Sequence, residues 1–295
     1  MIVEQSKVLY RLFLHVSAVF LPLSLAAPTN ALAASAAGQP LPDVPTLIAQ
    51  VREHQRQMDS VREDYTFREL DVTQELNKNG SVKKTETEEA DIFYVNSHEV
   101  RRVIQRDGQP LSADEEKKEQ QNVMKEIQRA QSTPPGQFPP GRIVISVGRI
   151  LAMAKFSSPR REMLDGRSMI AFDFQGDPHA KAHNLAEDAA RRTTGTVWID
   201  EKDRQVRRLT AQLTDNVHAG FGLVSLGKGS SLIFEQKLVN NELWLPTGAQ
   251  IHLVAHAIAV FGFRANIRIT DDDYRKFRAV AMQQAGETVA PPGTP

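Results

Sequence analysis

The stretch that decides the fold is Gly195–Thr214, GTVWIDEKDRQVRRLTAQLT, read together with Trp244–Thr247, WLPT. Val197 and Ile199 share one face of the first arm. Leu209, Ala211 and Leu213 share one face of the second, and Glu201–Asp203 form a polar tip between the arms. A period of two marks half-buried strands, and two such runs around a polar tip make a hairpin. Strands of this kind build a sheet with one broad apolar face. No residue in either stretch belongs to a recognisable catalytic arrangement.

Working outward, the same alternation and its punctuation recur. Asn79-Gly80 parts Tyr65–Leu76 from Val82–Val95, and Asp107-Gly108 follows His98–Arg106. Asp165-Gly166 precedes Ile170–Phe174, and Asn240-Asn241 parts Leu232–Val239 from Leu243–Leu253. These dipeptides accept the positive φ of tight hairpin turns, so the pattern is an antiparallel meander. Gln250–Thr270 is apolar at nearly every odd position, which predicts one long strand bent near Gly262.

Helical segments interrupt the meander. In Thr46–Val61 the residues Leu47, Ile48, Val51, Met58 and Val61 make one stripe, with Arg52, Glu53, Arg56 and Gln57 facing away. Ser112–Gln131 opens on a capping box, Ser112 with Glu115, and is polar almost all round; it belongs on the outside, followed by the loop Pro134–Gly141. Ile143–Phe156 is apolar on every side, and at least its second half reads as a buried helix lying against the sheet. His179–Arg192 reads as an alanine-rich helix capped by Asp177.

Residues 1–33 have the plan of a secretory signal. Lys7 and Arg11 precede the apolar run Leu12–Ala27, which Pro22 ends short of a spanning length, and Ala31-Leu32-Ala33 is a small-x-small cleavage site. The expectation is export, cleavage near Ala34 and a soluble periplasmic chain. Residues 34–45 are then a tether, 46–281 the folded domain with a helical excursion at 112–141, and 282–295 a flexible tail. The chain has no cysteine, which excludes disulfides, thiol catalysis and thiolate metal sites. Lys+Arg and Asp+Glu both number 36, and the basic pairs have acids nearby, so there is no electrostatic footprint for nucleic acid.

Chemistry-bearing patterns are thin. Gly222–Gly227 is not a nucleophile elbow, because two residues precede Ser225 and one follows. It is not a phosphate loop either, since Gly229 stands where a Ser or Thr is needed. His179, His183 and Glu187, four apart, would stack along a helix and are the one metal candidate. His252 and His256 lie too far apart along a strand to share an ion. Asp271–Asp273 reads as a solvated strand end. The expectation is a non-enzymatic protein without a cofactor.

With its amphipathic first helix, the meander, the GTVWID…VRRL hairpin and the later WLPT strand, the chain resembles exported lipoprotein-sorting-like proteins of the LolA/LolB-type fold, over roughly residues 46–278. The resemblance implies an α+β architecture: a strongly curved antiparallel sheet, an incomplete β-barrel, with helices closing the open side. It implies an apolar hollow that binds lipid or the acyl chains of a lipoprotein. The added excursion at Ser112–Gly141 is a departure from the small carriers. The wall of such a hollow would comprise Phe172, Phe174, Val197, Leu209, Leu213, Phe261 and Phe263, with Ile150 and Met153 in its lid. A second reading stays open: a protein-interaction or stress-sensor module on the same scaffold, its hollow filled by its own side chains and its partner another envelope protein. A packed core with no ligand is the third.

Overall fold

A computed structural model describes residues 40–62, 64–134, 147–219, 224–257 and 261–276 of the chain. The signal segment, the cleavage site, the tail, most of the Pro134–Gly141 loop and Phe261's side chain lie outside the described residues. The described strands form one antiparallel sheet of 13, in the order β4 (Gln109–Pro110), β3 (His98–Arg106), β2 (Val82–Val95), β1 (Tyr65–Leu76), β13 (Phe261–Lys276), β12 (Leu243–Ala257), β11 (Ser231–Val239), β8 (Val206–Leu213), β7 (Thr193–Asp200), β6 (Arg167–Gly176) and β5 (Ala154–Leu164), with β10 (Val224–Leu226) pairing β12 and β9 (Val217–Ala219) pairing β10. Its two ends, β4–β3 and β5, do not pair with each other, so the sheet is an open half-barrel.

The central hairpin is β7 (Thr193–Asp200) and β8 (Val206–Leu213), in a register that places Val197 opposite Leu209 and Thr193 opposite Leu213. Its neighbours are β6 (Arg167–Gly176) and β11 (Ser231–Val239). The WLPT motif sits in β12 (Leu243–Ala257) and meets the hairpin directly. The Trp244 indole N–H donates to Asp203 Oδ2 at 3.0 Å, and the Arg167 guanidinium lies 5.4 Å from the Trp244 ring centre. The tip of one quoted stretch is thus anchored by the aromatic of the other.

Gly195 marks the closest backbone approach in this region. A Cβ there would stand 1.8 Å from the Thr210 carbonyl oxygen and 2.9 Å from the Phe174 ring. Phe174 is the cross-strand partner of Gly195, and its ring edge reaches into the space that a Cβ would take. Gly195→Ala should therefore force the strands apart and cost about 1–3 kcal/mol of stability in urea unfolding, the usual penalty of overpacking.

Four helices occur among the described residues, α1 (Val44–Arg62), α2 (Ala113–Ser132), α3 (Val147–Ala152) and α4 (Leu185–Ala190). Leu47, Ile48 and Val51 of α1 are buried, as their stripe predicts. Helix α2 begins on its capping box, Ser112 N–H donating to Glu115 Oε2 at 3.0 Å. It covers β3 (His98–Arg106), the last long strand at that end. Buried Glu119 accepts the Val103 N–H at 2.9 Å, Arg102 donates to Glu116 at 2.7 Å, and His98 and Asn96 bind the Thr133 carbonyl at 2.9 and 2.8 Å. Covering an edge strand in this way blocks edge-to-edge pairing with other chains.

Four sequence expectations are corrected. The Ile143–Phe156 helix stops at Ala152, and Phe156 belongs to β5 (Ala154–Leu164), opposite Phe174 and edge-on to Phe172 at 5.0 Å. Strand pairing and aromatic packing override local helical preference there. The His179–Arg192 helix shrinks to α4. Asn184 is its cap, accepting the Glu187 N–H, while Asp177 instead turns the chain by accepting the His179 N–H. Gln250–Thr270 is two strands, β12 and β13 (Phe261–Lys276), which pair with each other from Gly248↔Thr270 to Ala257↔Phe261. Three residues between the arms preserve the odd–even parity, so a hairpin carries the alternation of one strand. Finally, Asp271 is fully buried rather than solvated.

Candidate functional site

The helix-bearing face of the sheet is the candidate site, and it changes character from one end to the other. On β6, β7 and β8 the inward positions are Ile170, Phe172, Phe174, Val197, Ile199, Val206, Leu209 and Ala211, all buried. Val206 replaces the residue the strict alternation calls for because a bulge shifts the register between Trp198 and Ile199. Leu47, Ile48 and Val51 of α1 and Ile150 and Leu151 of α3 pack onto this wall in one apolar cluster with Phe234. A second cluster continues across β12 and β13: Leu213, Ala249, Ile251, Leu253, Ala265, Ile267 and Ile269, capped by Leu185 of α4.

The structure therefore brings Phe172, Phe174, Val197, Leu209 and Ile150 together and places Leu213 in the adjoining cluster. Phe263 is half-buried against that second cluster, and Met153 is buried at the end of α3. The wall is filled from within: Phe172, Val197 and Leu209 are each 0 % exposed. Water-sized space does not reach these side chains, so helices α1 and α3 act as a plug in the hollow.

The plug is pinned at identifiable points. His54 Nδ1 of α1 lies 2.9 Å from the Asp203 carbonyl at the hairpin tip. Arg149 of α3 donates from Nε and Nη2 to the two carboxylate oxygens of Glu187 on α4, at 2.9 and 3.0 Å. Hydrogen bonding from Arg149 holds the Glu187 carboxyl below the usual carboxylate range. Glu187 Oε2 also accepts the His183 N–H at 2.8 Å. That carboxylate is committed to the helix junction, and His179 and His183 precede the helix instead of stacking on it. Among the described residues no three His, Asp or Glu side chains converge as a metal site.

Beyond the second cluster the same face becomes acidic. The register pairs Thr73 with Ile267, Asp71 with Ile269 and Glu69 with Asp271, where β1 (Tyr65–Leu76) adjoins β13. All three acids are buried. Arg101 of β3 donates to Glu69 Oε1 at 2.8 Å and to Glu88 Oε2 at 3.1 Å. Burial alone would raise the Glu88 carboxyl, but Arg101 and Arg106 hold it below the usual range. Thr73 donates to Asp71 at 3.2 Å.

Asp271 has no such partner. Both its carboxylate oxygens are buried without a hydrogen bond. Burial, then the charges of Glu69, Glu99 and Asp272, push its carboxyl well above the ordinary aspartate value. Tyr274 beside it is also pushed up, by burial and by Asp271, and its hydroxyl donates to the Pro246 carbonyl. Sequence reading missed this buried acid, although its odd position continues the inward series Ala265, Ile267, Ile269.

No helix among the described residues is long and apolar enough to cross a membrane. No known family profile matches the chain, and no curated protein does. Solved structures with a similar strand arrangement include a DUF1329 family protein from Desulfovibrio piger, 10% identical, covering 83% of this chain and 95% of the other with a TM-score of 0.38. Another is a putative outer membrane lipoprotein-sorting protein domain from Vibrio parahaemolyticus, 10% identical over 82% and 95%, TM-score 0.35. A LolA superfamily protein from Nitrosomonas europaea, 10% identical over 77% and 93%, has a TM-score of 0.28. The half-barrel architecture rests on the strand order of this chain, and the chain is similar in outline, at low score, to proteins of the lipoprotein-sorting type.

Proposed function

We propose that the chain is a non-enzymatic binding protein for acyl chains, carried by a hollow that its own helices plug until the ligand displaces them. The supporting observation is the wall: uncharged inward side chains on three adjacent strands, closed by α1 and α3 rather than by further strands. Each methylene moved from water into such a wall is worth about 0.8 kcal/mol, so affinity needs no specific polar contact. Residues Phe172, Phe174, Val197, Leu209, Leu213, Phe261 and Phe263 would line the occupied hollow, and Ile150 and Met153 would move with the lid. An exported, periplasmic carrier of lipid or lipoprotein acyl chains is the fuller form of this reading.

Opening and binding then compete, which gives an unusual sign to one substitution. Val51 is a fully buried plug residue. Val51→Ala should destabilise the protein by about 1–3 kcal/mol. It should at the same time tighten uptake of a fluorescent fatty acid, because a larger fraction of molecules has the hollow open. The change in apparent Kd should reach about tenfold for each 1.4 kcal/mol released at the plug. Absence of saturable uptake by both proteins would remove the carrier reading. It would leave the interaction module, which the filled wall also favours: there the packed hollow is the final core, and a protein partner docks outside.

A further inference from the structure

Helix α2 is polar on nearly every side, but its two kinds of charge are sorted between its faces. Five of its residues are acidic and four are basic. Four of the acids turn toward the sheet: Glu119 is buried, and Glu115, Glu116 and Glu126 are half-buried. Glu115 closes the capping box and lies 3.5 Å from Arg106 Nη1. Glu116 accepts from Arg102, and Glu119 accepts the Val103 N–H. Asp114 alone of the five is exposed, in the first turn, where the helix dipole favours an acid.

The cations lie on the other side. Lys117, Lys118, Lys125 and Arg129 are all exposed, and among the described residues none of them has an ion pair or a side-chain hydrogen bond. Lys118, Lys125 and Arg129, seven and four apart, form one row, and Lys117, Gln121, Met124 and Gln128 form the row beside it. From Lys117 to Arg129 the helix rises about 18 Å. Met124, 56% exposed, is the apolar residue in the middle of the array. The sorting follows from what α2 covers. Strand β3 offers Arg102 and Arg106 as partners, so the acids pair inward and the cations are left in water.

This face suits a dispersed field of anions better than one shaped ligand. A lysine ammonium is a hydrated point charge on a flexible stem, and only Arg129 could grip a carboxylate by a fork. The surface is the convex side of a helix, whereas peptide recognition uses a groove or a strand edge. The chain carries no formal net charge, so an anionic surface would feel this local array and no chain-wide repulsion. Each Lys or Arg close to an anionic bilayer raises partitioning about fivefold, and four together about several hundredfold.

We infer that the outer face of α2 docks the protein on an anionic lipid bilayer, with Lys117, Lys118, Lys125 and Arg129 on the headgroup phosphates and Met124 at the level of the headgroups. Docking is independent of the acyl-chain reading, because it needs neither an open hollow nor a displaced plug.

The test is sedimentation of the full chain with vesicles of phosphatidylcholine alone and of phosphatidylcholine mixed equally with phosphatidylglycerol, at low salt. The anionic vesicles should carry the protein down at least about tenfold more effectively, and added salt should release it. Lys118→Gln and Lys125→Gln together should weaken this binding about 25-fold. Lys83→Gln and Lys84→Gln remove the same charge from side chains already paired with Glu75 and Glu86, and should change it by no more than about twofold. All four lysines are exposed, so thermal midpoints should stay near that of wild type. Equal binding to both vesicles overturns the proposal and points to apolar uptake; absence of binding to either also overturns it. Equal losses from the two double variants would mean a net-charge effect without a docking face. Polyglutamate bound more tightly than the vesicles at matched anionic charge would make the occupant an acidic protein segment and overturn the lipid assignment.

Discussion

Leu209→Ala should lower the unfolding free energy by about 2–5 kcal/mol, the range for deleting a fully buried leucine side chain whose surroundings relax only in part. Leu209 is 0 % exposed, stands between Val197 of β7 and Phe234 of β11, and shares its cluster with the α1 plug. Three elements, two strands and a helix, would therefore face the vacated space, and neither strand can collapse into it without breaking the ladder on its other side. Val82→Ala is the matched control, since Val82 is 51% exposed and should change stability by no more than about 0.5 kcal/mol. Urea unfolding of both variants measures the contrast. Equal, small losses would mean that Leu209 faces outward, a one-residue slip that would turn every other side chain of β8 with it.

What could be read from sequence depended on how a residue's type maps to its surroundings. The hairpin turns were legible because positive φ selects few residues: Asp107 and Gly108, Asp165 and Gly166, and Asn240 and Asn241 all adopt it. The face of β8 was legible because Leu209, Ala211 and Leu213 alternate with polar neighbours. The split of Gln250–Thr270 was not, because three residues between β12 and β13 leave the parity intact, and parity was the signal being read. The filling of the hollow was not legible either: Phe172 and Val197 would have the same sequence pattern facing a ligand or facing Leu47. Polar positions hide just as well. The acids and cations of Ala113–Ser132 are mixed along the sequence until the fold turns Glu116 and Glu119 to β3 and leaves Lys118 and Lys125 outside. Among the inward residues the costliest error was Asp271, where an Asp-Asp-Asp run suggested solvent and the parity of Ile267 and Ile269 pointed inward.

Asp271→Asn should remove a pH dependence from the stability of the protein. Burial, then the charges of Glu69, Glu99 and Asp272, push the Asp271 carboxyl up, with Lys237 opposing. Its folded value is thus raised above the 3.8 of an ordinary aspartate. Between those two values the folded state binds one proton that the unfolded state has lost. Stability must then fall as pH rises through that window, at up to about 1.4 kcal/mol per pH unit. Carboxylates held below their usual range, Glu88, Glu187 and Glu201 among them, act in the opposite sense, losing stability only as pH falls toward and below the ordinary carboxylate range. The difference between variant and wild type isolates Asp271 from these. An asparagine amide has nearly the shape of the protonated carboxyl and no charge to lose. Chemical unfolding at intervals upward from about pH 4 should show the variant gaining on wild type as pH rises from the ordinary aspartate value toward the raised folded one. Near pH 4, where the unfolded aspartate is itself about half protonated, the gap should be at its smallest. Parallel curves across the whole range would mean that Asp271 ionises in the folded protein, and that Arg101 or water reaches a carboxylate which stands without a partner between β1 and β12.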